Sequence, residues 1–155
     1  HYYPGDDPQI EIGEEVRWTV YLYNHMEETR YVAVRVKLLN STVLAPNSTS
    51  CSPSLAPVVY EARRVMMHNQ TWLFPFSWSI LKAERVGDFL DVRSFSANGD
   101  SIDTRVIALY GFNYRVVLEL WVYEEGLGDF RFGWGNGDEA QCTWNQVWFN
   151  VTSPV

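Results

Sequence analysis

Most of this chain is written in a period of two. Val16, Trp18, Val20 and Leu22 fall on one phase, while Arg17, Thr19, Tyr21 and Tyr23 fall on the other. Tyr31 to Leu39 repeats the pattern, with Val32, Val34, Val36 and Leu38 apolar and Arg35 and Lys37 between them. Trp72, Phe74, Phe76, Trp78 and Ile80 make a third run, and Val116, Leu118, Leu120 and Val122 a fourth. Alternation sends successive side chains to opposite faces of a strand, so each run has one face for a core and one for a different environment. No helical period lasts longer than about two turns. The fold class is therefore all-β. Seven or so short strands between turn signals predict a β-sandwich, in its simplest form immunoglobulin-like, with a small barrel as the alternative.

The punctuation between runs suggests their order. Residues 1–13 form a polar lead-in marked by Pro and Gly, with a short strand at Ile10 to Ile12. The polar stretch Asn24 to Thr29 reads as a turn making 16–23 and 31–39 an antiparallel pair. Residues 40–57, rich in Asn, Ser, Thr and Pro, read as one long loop. Val58 to Met67 fits either a strand or a short helix, because Glu61-Ala62-Arg63-Arg64 interrupts it. Pro75 sits on the phase opposite Trp72, Phe74 and Phe76, which calls for an edge or a bulge. Gly87-Asp88 and Asn98-Gly99-Asp100 are turn signals. Gly111-Phe112-Asn113 reads as a hairpin connection between Asp103–Tyr110 and Tyr114–Tyr123. After a turn at Glu124 to Gly128 come an aromatic–glycine alternation over 129–137 and a last strand, Gln141 to Val151. The expected organisation is a sandwich over 1–123, with 124–155 as an added C-terminal β-hairpin or extension packed on the same domain.

Three features bear on compartment. The chain starts with His1, as expected of a piece taken from inside a longer protein or after a processing site. Four Asn-x-Ser/Thr sequons, at Asn40, Asn47, Asn69 and Asn150, exceed the roughly one that chance gives for nine Asn and this Ser/Thr content. Sequons at this density suit a glycosylated extracellular or cell-surface setting. The two cysteines, Cys51 and Cys142, are either one long-range disulfide or two unrelated thiols; a disulfide would tie the 40–57 loop to the C-terminal segment. The balance of 12 basic against 19 acidic residues, net −7, argues against a nucleic-acid partner. No apolar stretch here reaches the ~18 residues of a membrane span. Tethering to a membrane would run through segments outside this chain.

Candidate chemistry is sparse. Asp6-Asp7, Glu14-Glu15, Glu124-Glu125 and Asp138-Glu139 lie in turns, and neighbours in a strand point to opposite faces, so none makes the facing carboxylate pair of a glycosidase. His1, His25 and His68 show no ligand spacing, and no nucleophile motif occurs. Asp129, Asn136, Asp138 and Glu139 bring hard oxygen atoms near a glycine-rich bend and are the candidate calcium ligands, without EF-hand spacing. No catalytic residue, cofactor or metal is assigned. The off-phase aromatics Tyr21, Tyr23, Trp121 and Tyr123, with Trp134 and Trp148, would face away from the main core. They are a packing surface beneath the C-terminal extension, a protein contact or a sugar-stacking platform.

Three stretches resemble an archaeal family in order along residues 10–123. Ile12-Gly13-Glu14-Glu15 with Trp18-Thr19-Val20 and Tyr23-Asn24-His25 is similar to its opening motif. Asn69-Gln70-Thr71-Trp72 with Pro75-Phe76 is similar to a middle one, and Leu109-Tyr110, Tyr114-Arg115 and Leu118 to Val122 to its closing one. The family is DUF1616, the extracytoplasmic immunoglobulin-like domain of predicted membrane proteins of unknown function. Met26 stands where that pattern has an acid, and the Cys51 loop and everything after residue 124 lie outside it. The resemblance implies an ectodomain and brings no catalytic residues. The expected function is a non-enzymatic module of a membrane protein on the extracellular face, in a structural or interaction role. A carbohydrate-binding module using exposed aromatics is the alternative, and a small surface hydrolase the third.

Overall fold

Two sheets divide the alternating runs between them. The computed structural model describes residues 2–152; His1 and the end of the 124–155 extension lie outside the described residues. The strands are β1 (Gln9–Glu11), β2 (Val16–Tyr23), β3 (Arg30–Leu39), β4 (Val58–Met66), β5 (Thr71–Val86), β6 (Phe89–Ala97), β7 (Asp100–Leu109), β8 (Tyr114–Glu124), β9 (Asp129–Phe132) and β10 (Trp144–Thr152). Short 3-10 turns stand at Pro4–Asp6 and Gly137–Glu139. One sheet has six strands in the order β1-β10-β8-β3-β4, with β9 also paired to β8; the other has the order β2-β5-β6-β7. The stretch 58–66, ambiguous by pattern, is a strand pairing with β3.

The inward phases meet in one core. Val32, Val34, Val36 and Leu38 of β3, with Tyr114, Val116 and Val122 of β8, face Trp72, Phe74, Phe76, Trp78 and Ile80 of β5 and Leu90, Val92 and Phe95 of β6. Trp78 lies 4.8 Å from Phe149 and 5.8 Å from Phe95, ring centre to ring centre. Each fully buried large apolar side chain contributes about 1.5–3 kcal/mol. Phe149 and Val151 of β10 belong to this core, and β9 pairs with β8, so the strands after residue 124 are members of the same six-stranded sheet.

Two expected hairpins are sheet crossings instead. β2 pairs with β5, not with β3, although both flank the polar stretch 24–29. The buried Asn24 redirects the chain: its Nδ2 donates to the carbonyls of Glu28 and Met66, and its Oδ1 accepts from the Met26 N–H. β7 and β8 likewise lie in different sheets. Between them Gly111 adopts φ +75°, and a Cβ there would stand 2.6 Å from the Val151 carbonyl oxygen, so only glycine fits the crossing.

β5 is shared along its length. Residues 71–78 pair with β2 and residues 78–86 with β6. Pro75 thus sits where β5 is a local edge on the side away from β2. Asn98 covers that edge, with Nδ2 donating to the Pro75 carbonyl and Oδ1 accepting from the Ser77 N–H. The missing proline N–H breaks no ladder bond there.

Candidate functional site

The middle of the outward face of the six-stranded sheet is covered, although its alternation reads as solvent-facing. Ala33 and Leu39 of β3 and Val117 of β8 are fully buried on it. So are Lys37, 4% exposed, and Glu119, 0% exposed, whose Nζ and Oε1 are 2.8 Å apart. The loop 40–57 closes over them. Ser54 donates its N–H to Glu119 Oε2 at 2.8 Å and accepts from Lys37 Nζ through its carbonyl. Trp121 donates its indole N–H to Glu119 Oε1 at 3.1 Å. Both glutamate oxygens thereby accept hydrogen bonds and the ammonium has two oxygen partners, the kind of pairing under which a buried ion pair is tolerated.

The cover is pinned at intervals. Arg115 donates to the carbonyls of Asn40 and Val43 and stacks 4.8 Å from the Trp148 ring; burial pushes its guanidinium pKa down. Trp144 Nε1 donates to Ser48 Oγ at 2.9 Å. The disulfide is formed, joining Cys51 to Cys142 with their Cα atoms 5.7 Å apart. It staples the cover to the segment just before β10. Arg35 lies over the Trp121 ring at 4.1 Å and pairs with Glu61 at 3.1 Å. Burial alone would raise the Glu61 carboxyl, but Arg63 and Arg35 outweigh it and hold its pKa below the ordinary carboxylate value.

The six off-phase aromatics do not share one surface. Tyr21 and Tyr23 project from the four-stranded sheet, and Tyr21 is 63% exposed. Trp121 and Tyr123 lie on the opposite side of the molecule, packed with Phe132 and Phe130 of β9 at 5.9 and 5.5 Å. Trp134 follows β9 and, with Trp121, Phe130 and Phe132 but not Tyr123, lines a recess of about 340 Å³ that also includes Arg131 and Gln141. Trp148 stands apart over Arg115.

A larger concavity opens at the side of the sandwich. It measures about 680 Å³ and lies between β2 and the β8–β10 pair. Trp18, Val20 and Leu22 form one wall; Val34, Leu118 and Leu120 the floor; and Thr143, Asn145 and Val147 the far side. Tyr2 reaches its mouth, where its carbonyl accepts from Trp18 Nε1 at 2.6 Å. Every one of these apolar residues reads as ordinary core by phase. The cleft arises because the four-stranded sheet stops at β2 while the opposing sheet continues.

The remaining candidates are dispersed. Asn47 and Asn69 are exposed, whereas Asn40 is half-buried with Nδ2 bonded to the Ile107 carbonyl, and half-buried Asn150 accepts from the Asn113 N–H. Asn69 Oδ1 accepts from the Tyr23 hydroxyl at 2.6 Å. Asp129 Oδ1 accepts from the Phe130 N–H, Asn136 Oδ1 from Arg131, and Asp138 and Glu139 are exposed in a 3-10 turn, so these four candidate calcium ligands are not drawn together. Among the described residues no three His, Cys, Asp or Glu side chains gather as a metal site. His25 is exposed, and His68 accepts from the Glu27 N–H. The domain is a compact all-β unit with no catalytic-looking cluster among its described residues. No family model and no curated protein matches the chain.

Proposed function

We propose that the chain is a non-enzymatic, extracytoplasmic interaction module, displayed on the cell surface by a membrane protein whose anchoring segments lie outside it. The observation that carries this reading is the Cys51–Cys142 staple, which holds the cover over the buried Lys37–Glu119 pair. Such a cross-link persists in an oxidising compartment. Two of the four sequon asparagines stand on exposed loops, where a glycan is accommodated without disturbing the fold. The immunoglobulin-like reading belongs here too. The run β10-β8-β3-β4 follows the order of a variable-type sheet, whereas β2 borders β5 rather than the strand preceding β8, a departure in the opposite sheet. The likeness to the archaeal DUF1616 ectodomains fits this assignment. Native-host material is expected to gain about 2 Da on reduction and to carry glycan on Asn47 or Asn69. Free thiols together with bare asparagines would refute the surface assignment.

A second reading, carbohydrate binding, draws on the recess around Trp121, Trp134, Arg131 and Gln141. It expects soluble glycans to quench tryptophan fluorescence and Trp134→Ala to abolish the effect. The Arg35 guanidinium already occupies one face of Trp121, which narrows the stacking surface to Trp134.

A further inference from the structure

β2 closes one side of the four-stranded sheet and has no neighbouring strand beyond it among the described residues. The bond from the Asn24 N–H to the Gln70 carbonyl fixes which of its groups are engaged. The even-numbered residues Val16 to Leu22 bond β5, so Arg17, Thr19, Tyr21 and Tyr23 turn their N–H and C=O groups to the open edge. The opposite edge of β5 agrees, since Ser77 directs both backbone groups away from β2 toward Asn98. The usual protections of an edge are missing over 16–23. There is no proline, the pairing with β5 runs without a register shift, and Arg17 is the sole charged residue.

Beside this edge lies the 680 Å³ cleft, lined by the inward phase of β2 on one side and the apolar floor Val34, Leu118 and Leu120 below. An unpaired backbone ladder and an unfilled apolar trough therefore run together. We propose that β2 accepts an extended peptide as a fifth strand, whose alternate apolar side chains fill the cleft. This deepens the interaction-module reading and rests on it. The peptide spans about seven residues, or ~20 Å, opposite Arg17 to Tyr23. Four outward-facing residues of β2 offer it four donors and four acceptors, the arrangement of strand addition. Its other phase lies beside Arg17, Thr19, Tyr21 and Tyr23, where the one cation favours a single carboxylate. The cleft is bounded on its far side by Thr143, just before β10, and by Asn145 and Val147 of β10.

The test uses two synthetic peptides of about nine residues. One alternates valine and threonine and carries one glutamate on the threonine phase; the other has the same composition with the alternation broken. Titration calorimetry on the intact, oxidised protein is expected to show the alternating peptide binding at least about tenfold tighter. Thr19→Pro is expected to remove that binding while leaving the melting temperature unchanged, because the Thr19 N–H faces the open edge. N-methylation of alternate amides in the peptide is expected to weaken binding to the unaltered protein equally, a readout independent of how Thr19→Pro folds. Equal affinity for both peptides, no binding at about millimolar concentration, or insensitivity to both Thr19→Pro and N-methylation would overturn the proposal. So would a concentration-dependent dimer that Thr19→Pro dissolves, since the edge would then belong to a second copy. None of these results depends on the disulfide or on whether the sequons carry glycan, so this proposal and the surface assignment fail separately.

Discussion

Replacing Glu119 by glutamine removes one charge from a site that water does not reach. Lys37 and Glu119 are 2.8 Å apart, and at an effective dielectric of about 20 that separation corresponds to ~6 kcal/mol of attraction. Desolvating the two ions costs several kcal/mol each, so the intact pair adds little net stability. Removing one partner is different. In Glu119→Gln one carboxylate oxygen becomes an NH2 group. Turned toward Ser54 it faces that residue's N–H, and turned the other way it faces the Lys37 ammonium, 4% exposed, and the Trp121 indole N–H. Either orientation sets donor against donor at a buried site while the ammonium loses its counter-charge. The expected loss is about 3–5 kcal/mol. The double variant Lys37→Met/Glu119→Leu removes both charges at similar volume but leaves the buried Ser54 N–H and the Trp121 indole N–H without their acceptor, so its loss is expected at about 2–3 kcal/mol, below that of Glu119→Gln. Urea unfolding with the disulfide oxidised, followed by tryptophan fluorescence, measures all three proteins at comparable slope. The reasoning is refuted if Glu119→Gln falls within about 1 kcal/mol of the parent, because the cover would then admit water. It is also refuted if the double variant loses as much as Glu119→Gln or more.

Breaking the staple with Cys51→Ser/Cys142→Ser is expected to cost about 4 kcal/mol, set by a loop of 91 residues, and denaturation with and without reductant reads it directly. Gly111→Ala places a Cβ 2.6 Å from the Val151 oxygen at φ +75°, so a loss of at least about 1–3 kcal/mol is expected in thermal unfolding; a neutral result would mean that the crossing moves freely. Burial raises the Tyr3 hydroxyl to about 12 and, with a further push from Asp91, raises Tyr114 as well. Both groups are favoured neutral in the fold. Their contribution is complete below the unfolded pKa near 10 and is lost as pH climbs through the folded values, so stability should fall from about pH 10 upward. Absorbance titration is expected to show two late tyrosines, one of which Tyr3→Phe removes.

Strand existence was legible because alternation is local. The inward phases of β3, β5 and β8 need no knowledge of partners. Partner choice was not legible. The turns at 24–29 and 111–113 have ordinary hairpin composition, and what sends them across the sandwich is distant: the Met66 carbonyl on Asn24 and the Val151 carbonyl at Gly111. The outward phase of β3 and β8 misled for a related reason. Lys37 and Glu119 read as solvated charges until the loop 40–57 is placed over them. A signal existed, since Lys37 is one of only two lysines and Glu119 stands alone within an apolar run. Trp18, Val20, Leu118 and Leu120 share the core phase of their strands, and only the different widths of the two sheets turn them into the wall and floor of a cleft.

The parallel pairing of β1 with β10 has a mechanical consequence. Gln9, Ile10 and Glu11 run alongside Asn150, Val151 and Thr152 in the same direction. Tension applied at the two ends of the chain therefore pulls these strands past one another lengthwise. The bonds between them bear the load together, as a lap joint does, instead of parting one at a time like a zipper. Ile10 and Val151, both buried beside that joint, must slide within the packed interior before it yields. A domain threaded between two anchors would resist a steady pull in this direction far better than one closed by a hairpin at its ends.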